Sequence, residues 1–244
     1  MPRYGDDLAY IHDVGFGGFV ERATPGLLAI LRRHGIRGGR VVDLGCGTGI
    51  WAQALADRGY SVHGIDLSSA MIRRCRERVP EGTFRRASFF DAPVPSCRAV
   101  TSLGECLSYR LDDANTVRTR RALFRRVYGA LPPGGLFICD VSTPGIGVRA
   151  GETSQRHWLG KDWAICVTYT CDEGKRRFER DIVTFRKKAG GGYARSREIH
   201  RIRLFPPREF AGELRRVGFR VTTSRRYGAL MLGPGHRAFI ARKP

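Results

Sequence analysis

The sequence predicts an α/β protein: a doubly wound, mostly parallel seven-stranded sheet with an antiparallel last strand and an inserted antiparallel β lid. Three observations lead there. Strand and helix signals alternate from residue 41 to about 142, as in a parallel sheet clothed by helices on both faces. A glycine-rich loop, LGCGTG, follows the first of those strands. After Thr143-Pro144-Gly145 the periodicity shifts to two, that of an antiparallel meander.

RVVDL (40–44) is a short β-branched run stopped by glycines, and GIWAQALADRG (49–59) follows it as a helix. YSVHGID (60–66) is the second strand. SSAMIRRCRERV (68–79) opens on serines suited to capping a helix, Ser68 or Ser69. TFRRASF (83–89) and RAVTSLG (98–104) are the third and fourth strands. DANTVRTRRALFRRVYGAL (113–131) is a long amphipathic helix, ended by Pro132-Pro133-Gly134-Gly135. GLFICDV (135–141) is an apolar run fit for a strand buried on both faces. From Trp163 to Phe205, alternation broken by turn signals at Asp172-Glu173-Gly174 and Gly190-Gly191-Gly192 predicts the meander. PPREFAGELRRVG (206–218) is a helix with proline near its start and glycine at its end. FRVTTSRRYG and HRAFIARK, joined through Gly233-Pro234-Gly235, close the chain as a β-hairpin and complete the seven strands.

At 244 residues the chain fits one large domain with one sizeable core. A hydrophobic content of 42% with 27% charged residues argues against disorder. The opening MPRYGDDLAYIHD has two early acids and no apolar stretch, so no secretory signal is expected. No window has the uninterrupted apolar length of a membrane span, and a cytoplasmic protein is expected. The seven cysteines are scattered and form no CxxC pair, which predicts reduced thiols rather than a zinc or disulfide framework.

The net charge of +20 raises the question of an acidic partner. The basic residues form no tail and no single tract. They occur as pairs, among them Arg32-Arg33, Arg73-Arg74, Arg120-Arg121, Arg125-Arg126 and Arg215-Arg216, several on helical stretches where a charge run is a solvated face. The distribution favours a small substrate, anionic ones included, over nucleic acid.

VVDLGCGTGIWA carries the chemistry. A buried strand ends at Asp43, and glycines at 45, 47 and 49 follow before a helix begins. Glycine tolerates positive φ and lets a ligand approach the backbone, and open α/β sheets bind ligands beyond the carboxyl ends of their strands. A dinucleotide fingerprint wants G-x-G-x-x-G; here the third glycine comes one residue early and Ile50 takes its place. There is also no GK[ST] of a phosphate loop. Asp66 ends the next strand, roughly 20 residues on, where a nucleoside-binding fold places an acid on ribose hydroxyls. An ionised carboxylate can accept from both hydroxyls at once.

DLGCGTG followed by HGIDLSSAMI resembles the first two motifs of the class I S-adenosylmethionine-dependent methyltransferases, and PPGGLFICDV resembles their turn and fifth strand. The resemblance covers about residues 36–142, and the terminal helix and hairpin match the family's last two strands. It implies S-adenosylmethionine as cofactor, with S-adenosylhomocysteine as product. It places Asp43 and the backbone at Gly45 and Gly47 on the methionine end, Asp66 on the ribose and Leu67 against the adenine. Cys46 and Gly104 complete that set. Ser88 stands where the family often has an acid near the adenine amine, with Phe89 offering a backbone contact and Asp91 as a substitute. GDDLAYIHD resembles the family's tyrosine-aspartate-alanine helix that closes over the cofactor. Gly5 and His12 stand where tyrosines are common, and Tyr4 or Tyr10 compensates. The implied organisation is a helical cap over 1–35, a Rossmann-like cofactor domain over 36–145 and 206–244, and a substrate lid over 146–205.

Methyl transfer from an activated cofactor needs alignment in a dry pocket, and a general base only when the nucleophile arrives protonated. In LGECLSY (103–109), Glu105 is a carboxylate in an apolar stretch, suited to hold an amine or take its proton; the alternative is a helix-terminal acid. Glu198 and His200 alternate on one face of SREIHRI with Arg201 on the other, facing a substrate or forming an ion pair on a solvated sheet. His12 and Tyr109 are further candidates. Asp140 is assigned a structural role. The expected reaction is methylation of a nitrogen or oxygen on a small molecule: an amine, a phenol or a natural-product intermediate. The runner-up is an RNA methyltransferase using the basic surface, against which LGEC lacks the Asn/Asp-Pro-Pro-aromatic motif of base-amine enzymes and no Pro-Cys dipeptide exists. Thr170-Cys171 lies beside a turn and is taken as coincidence. A cofactor-binding protein without catalysis is the third reading.

Overall fold

Strand β1 (Gly39–Leu44) lies near the middle of the structure, a computed structural model that describes residues 4–146 and 152–244. It pairs in parallel with β2 (Tyr60–Asp66) on one side and β4 (Ala99–Ser102) on the other. β3 (Thr83–Arg86) extends the sheet beyond β2, and β5 (Leu136–Ser142) extends it beyond β4. The last strand, β13 (His236–Arg242), runs antiparallel between β5 and β10 (Arg220–Ser224). The order β10-β13-β5-β4-β1-β2-β3 gives seven strands with one reversed.

Alternation along the strands divides two cores. Val41 faces a layer made by α2 (Gly18–Arg33), α3 (Ile50–Ala56) and α4 (Ser69–Arg78), packing with Leu27, Trp51, Leu55 and Ile72. Its neighbour Val42 points the other way, into the core under α5 (Val117–Ala130) and α6 (Pro207–Val217), with Phe124, Phe137, Phe210 and Leu214. Burial on both faces is why GLFICDV lacks alternation: every residue of β5 is buried. Arg120 on α5 is buried, and its guanidinium grips Glu213 on α6 through two bonds of 3.0 and 2.9 Å. Breaking such a buried pair costs about 3–5 kcal/mol.

Between β5 and α6 the chain builds a separate antiparallel sheet of β6 (Thr153–Leu159), β7 (Trp163–Asp172), β8 (Arg177–Lys187) and β9 (Tyr193–Arg203), in that order. Its inner face packs on α1 (Asp6–Phe16) through Ile165, Val167 and Ile182 against Leu8 and Ile11. α1 and α2 meet at a 60° bend about Gly17. No single helix among the described residues is long and apolar enough to cross a membrane.

Four expectations change. β6 is a strand the sequence does not announce. The helix expected from residue 113 starts at Val117, because Thr116 and Thr119 form a capping box and Asp112 folds the preceding residues into a turn. The third strand stops at Arg86. FRVTTSRRYG is not one strand: β10 ends at Ser224, and a small hairpin of β11 (Arg226–Tyr227) and β12 (Leu230–Met231) intervenes before β13. The expected lid boundary at 145–146 adjoins residues 147–151, which with residues 1–3 of the expected cap lie outside the described residues.

Candidate active site

The carboxyl ends of β1 and β2 are tied together by the glycine loop. Gly45 and Cys46 donate their amides to the Ile65 carbonyl at 2.7 and 3.1 Å, and Gly47 donates to Asp66 Oδ2 at 3.0 Å. Asp66 Oδ1 accepts from Ser68 N at 2.8 Å, and Ser68, not Ser69, caps α4. Burial raises the Asp66 carboxyl even though these backbone N–H groups favour its charge. Asp43 is buried and accepts from Thr101 Oγ1 at 2.7 Å, while Trp51 Nε1 donates to that hydroxyl at 3.1 Å. Burial pushes the Asp43 carboxyl up to about 7, against the Thr101 bond and with help from the Asp66 charge.

A cavity of about 780 Å³ opens from this loop. Asp43, Gly45, Cys46, Gly47, Asp66 and Leu67 form one end of its wall, and Ser88, Phe89 and Gly104 continue it. α1 contributes Leu8, His12 and Phe16, and the inserted sheet contributes Val167, Tyr169, Phe178 and Arg180. Gly47 has φ +54, and a Cβ there would meet nothing within 4 Å. Gly45 has φ +80, and a Cβ there would strike Cys106 Sγ at 2.5 Å.

Glu105, with a left-handed φ of +59, stands where the core meets the inserted sheet. Its carboxylate takes Arg180 Nη2 at 2.5 Å, the Ser142 hydroxyl, and His236 Nε2 at 3.3 Å. Burial alone would raise it, but Arg180, His236 and Ser142 outweigh that and hold it down to about 2. His236 has Nδ1 3.2 Å from the Pro234 carbonyl. With an acceptor at each nitrogen, the ring is suited to the doubly protonated form, and its proton affinity is raised despite burial. Asp140 takes the amides of Gly104 and Glu105 at 3.1 and 2.7 Å and the Tyr227 hydroxyl at 3.0 Å, with burial pushing it up to about 6. Tyr109 accepts from Arg180 Nη1 at 2.7 Å and from Tyr4 at 3.3 Å; burial pushes its hydroxyl up to about 12. Burial lowers His12 to about 4, and its Nδ1 has no partner among the described residues.

Residues 41–135 match the family described as a methyltransferase domain. The dTDP-3-amino-3,6-dideoxy-alpha-D-glucopyranose N,N-dimethyltransferase of Streptomyces fradiae is 31% identical over 230 residues, 89% of this chain and 86% of that protein. The chain belongs to the class I S-adenosylmethionine-dependent methyltransferases. This methyltransferase shares its fold with an S-adenosylmethionine-dependent methyltransferase of Clostridium acetobutylicum, at a TM-score of 0.80 and 15% identity over 96% of this chain and 97% of that one. A sugar N-methyltransferase from Streptoalloteichus gives 0.75 at 18% identity, covering 100% and 96%.

S-adenosylmethionine is the methyltransferase's cofactor, and the first cavity end fits such a group. The missing Cβ of Gly47 leaves room at the wall, and the buried carboxylate of Asp43 with the half-buried one of Asp66 suits a ligand with hydroxyls and a cationic end. Of the other expected residues, Glu105, His12 and Tyr109 reach the cavity wall. Glu198 and His200 share the inner face of β9, as the alternation predicts, but the wall does not include them; they abut the amino-terminal segment instead. Asp91 is exposed and off the wall, while Ser88 Oγ accepts from Phe90 N at 3.1 Å. Tyr4 lines the cavity; Tyr10 turns away to Asp162 beneath the Arg186 guanidinium.

Arg180, His236 and the exposed Arg156 are wall residues that sequence reasoning missed. Arg180 alternates with Phe178 and Ile182 on an inward face, and an arginine at an inward position was the available signal. His236 had none, since its partner lies 131 residues away.

Proposed function

We propose that this methyltransferase acts on a nitrogen nucleophile of a small acceptor, an amine on a sugar or natural-product intermediate, ahead of an oxygen nucleophile. The engagement of Glu105 carries the reading. Its carboxylate is already occupied by Arg180, His236 and Ser142 and held down to about 2, so it is a poor proton acceptor at neutral pH. A phenol or alcohol asks its site for a strong base. An amine is nucleophilic as its free base and asks only that the ammonium form be excluded. Arg180 and His236 disfavour a further cation beside them. His12, neutral and with Nδ1 unpartnered among the described residues, suits a hydrogen bond from the acceptor. Arg156 offers a partner to an anionic group on the acceptor. The names of the similar proteins, an amino-sugar N,N-dimethyltransferase and a sugar N-methyltransferase, support the same class.

In this reading Asp66 holds the ribose, and Asp43 with the backbone of Gly45, Cys46 and Gly47 holds the methionine end. Leu67, Ser88 and Phe89 flank the adenine, and Gly104 borders the reacting end. Bound there, S-adenosylmethionine supplies a methyl group already activated on sulfur. The protein aligns the acceptor and keeps water out. The test is release of S-adenosylhomocysteine with three pools: nucleotide-linked amino sugars, phenols and total tRNA. Turnover with the amines is expected. Turnover confined to phenols would shift the reading to oxygen, and turnover confined to tRNA would overturn it.

A further inference from the structure

Glu198 is 7% exposed, and both of its oxygens face the start of α1. Oε2 accepts from the Tyr4 N–H and Oε1 from the Gly5 N–H, each at 2.8 Å. His200, two residues along and 1% exposed, sets Nε2 3.0 Å from the same Oε2 and lays its ring against Tyr4, centroids 4.7 Å apart. A buried carboxylate thus gathers the chain's amino-terminal amides.

Tyr4 in turn bridges both ends of the cavity. Its carbonyl accepts from Ser68 Oγ at 2.7 Å, two residues from Asp66, and its hydroxyl donates to Tyr109 beside Arg180. Tyr4 holds φ +52, a left-handed conformation costly for a residue with a Cβ, so its partners rather than its own preference fix this shape. Farther along α1, Asp13 accepts from Thr48 Oγ1 of the glycine loop at 2.6 Å and from Arg78 Nη1 at 2.9 Å. Between these two anchors, Leu8 and His12 lie on the cavity.

We propose that Glu198 is a positioning residue that latches α1 shut over the cofactor site through the Tyr4 and Gly5 amides, so that the inserted sheet and the helical cover close as one unit. Opening at Glu198 frees Tyr4 and Leu8 from the wall while Asp13 keeps the far end of α1 on the glycine loop. The acceptor end is complete only when the cover is closed. Cofactor therefore loads before acceptor, and product leaves after the latch opens.

Amide hydrogen exchange and S-adenosylhomocysteine binding, neither of which needs a known acceptor, test this on the full chain, on E198A and E198Q, and on a chain lacking residues 1–5. In E198A, which loses both amide bonds, exchange over residues 5–12 should quicken and the Kd should weaken by about tenfold or more each, at least the equilibrium value of one charge-assisted hydrogen bond. Exchange in β1 and β5 should stay unchanged. E198Q keeps an accepting oxygen and should recover part of the loss. The shortened chain, which also loses Tyr4 from the wall, should bind at least as weakly as E198A, with no further loss when E198A is added to it. Wild-type exchange and affinity in E198A would overturn the proposal, as would an additive loss in the combined variant. Should E198A lose protection throughout the core, the shortened chain decides, and wild-type affinity there overturns the latch.

Discussion

Arg180 on β8 meets Glu105 on the loop after β4 at 2.5 Å, joining the inserted sheet to the Rossmann-like core across 75 residues of sequence. Both side chains are largely buried, at 19% and 9% exposure, so the pair is screened little by water. Removing the arginine leaves a buried carboxylate with only His236 and Ser142 to hold it. Arg180→Met is expected to cost about 3 kcal/mol in urea unfolding. Combining it with Glu105→Gln should recover most of that loss, because the double variant buries no unpaired carboxylate and His236 can give up its proton.

The same pair sets an acid limit. Glu105 has its carboxyl depressed from 4.5 to about 2 in the folded protein. A depressed carboxyl contributes stability above its unfolded value, and that contribution is lost as pH falls through the folded one. Unfolding midpoints measured from pH 6 downward should therefore fall between about pH 4.5 and 2. In Arg180→Met this part of the acid loss should shrink, since the depression has lost its main cationic partner.

Asp43 has the opposite sign. Its carboxyl is raised from 3.8 to about 7, so its contribution to stability without cofactor is present below 3.8 and lost as pH rises through about 7. If Asp43 meets the cationic end of the cofactor, binding draws on the ionised form. S-adenosylhomocysteine affinity, measured by calorimetry, should then fall below pH 7 by up to about tenfold per pH unit and level off above it. Asp43→Asn should bind more weakly and flatten the profile, and a profile that stays steep would place the titration elsewhere.

What the sequence made legible was local. The glycine loop, Asp43 and Asp66 sit within one strand–helix–strand unit, so spacing alone brought them together. Helix faces followed from periodicity and β5 from its unbroken apolar run, signals just as local. β6 escaped because TSQRHWL is an exposed edge strand whose identity comes from pairing with β7, not from an apolar face. The shared face of Glu198 and His200 was readable, but what it faces was not. Its partners, Tyr4 and Gly5, lie 194 and 193 residues away and offer backbone amides, which carry no sequence signal. Arg180 carries a local signal in its inward position on β8, but its partner Glu105 lies 75 residues away. In a chain with a surplus of 20 positive charges, nothing in the sequence singles out that pair.

Two glycines of the loop separate fold from binding. At Gly45 an added Cβ meets Cys106 Sγ at 2.5 Å and its Cβ at 2.9 Å, and φ is +80. Gly45→Ala should therefore destabilise the protein by about 2 kcal/mol or more, from left-handed strain and overpacking together. Gly47 also has a positive φ, +54, but its Cβ would stand in open space at the cavity wall. Gly47→Ala should cost only about 1 kcal/mol in unfolding, the strain alone. A bulkier Gly47→Val fills the space in front of Asp66, and S-adenosylhomocysteine binding should be lost while the circular dichroism spectrum stays native. Retained binding in Gly47→Val would mean that the cofactor backbone does not pass over this loop, and the assignment of Asp43 and Asp66 to its two ends would fall with it.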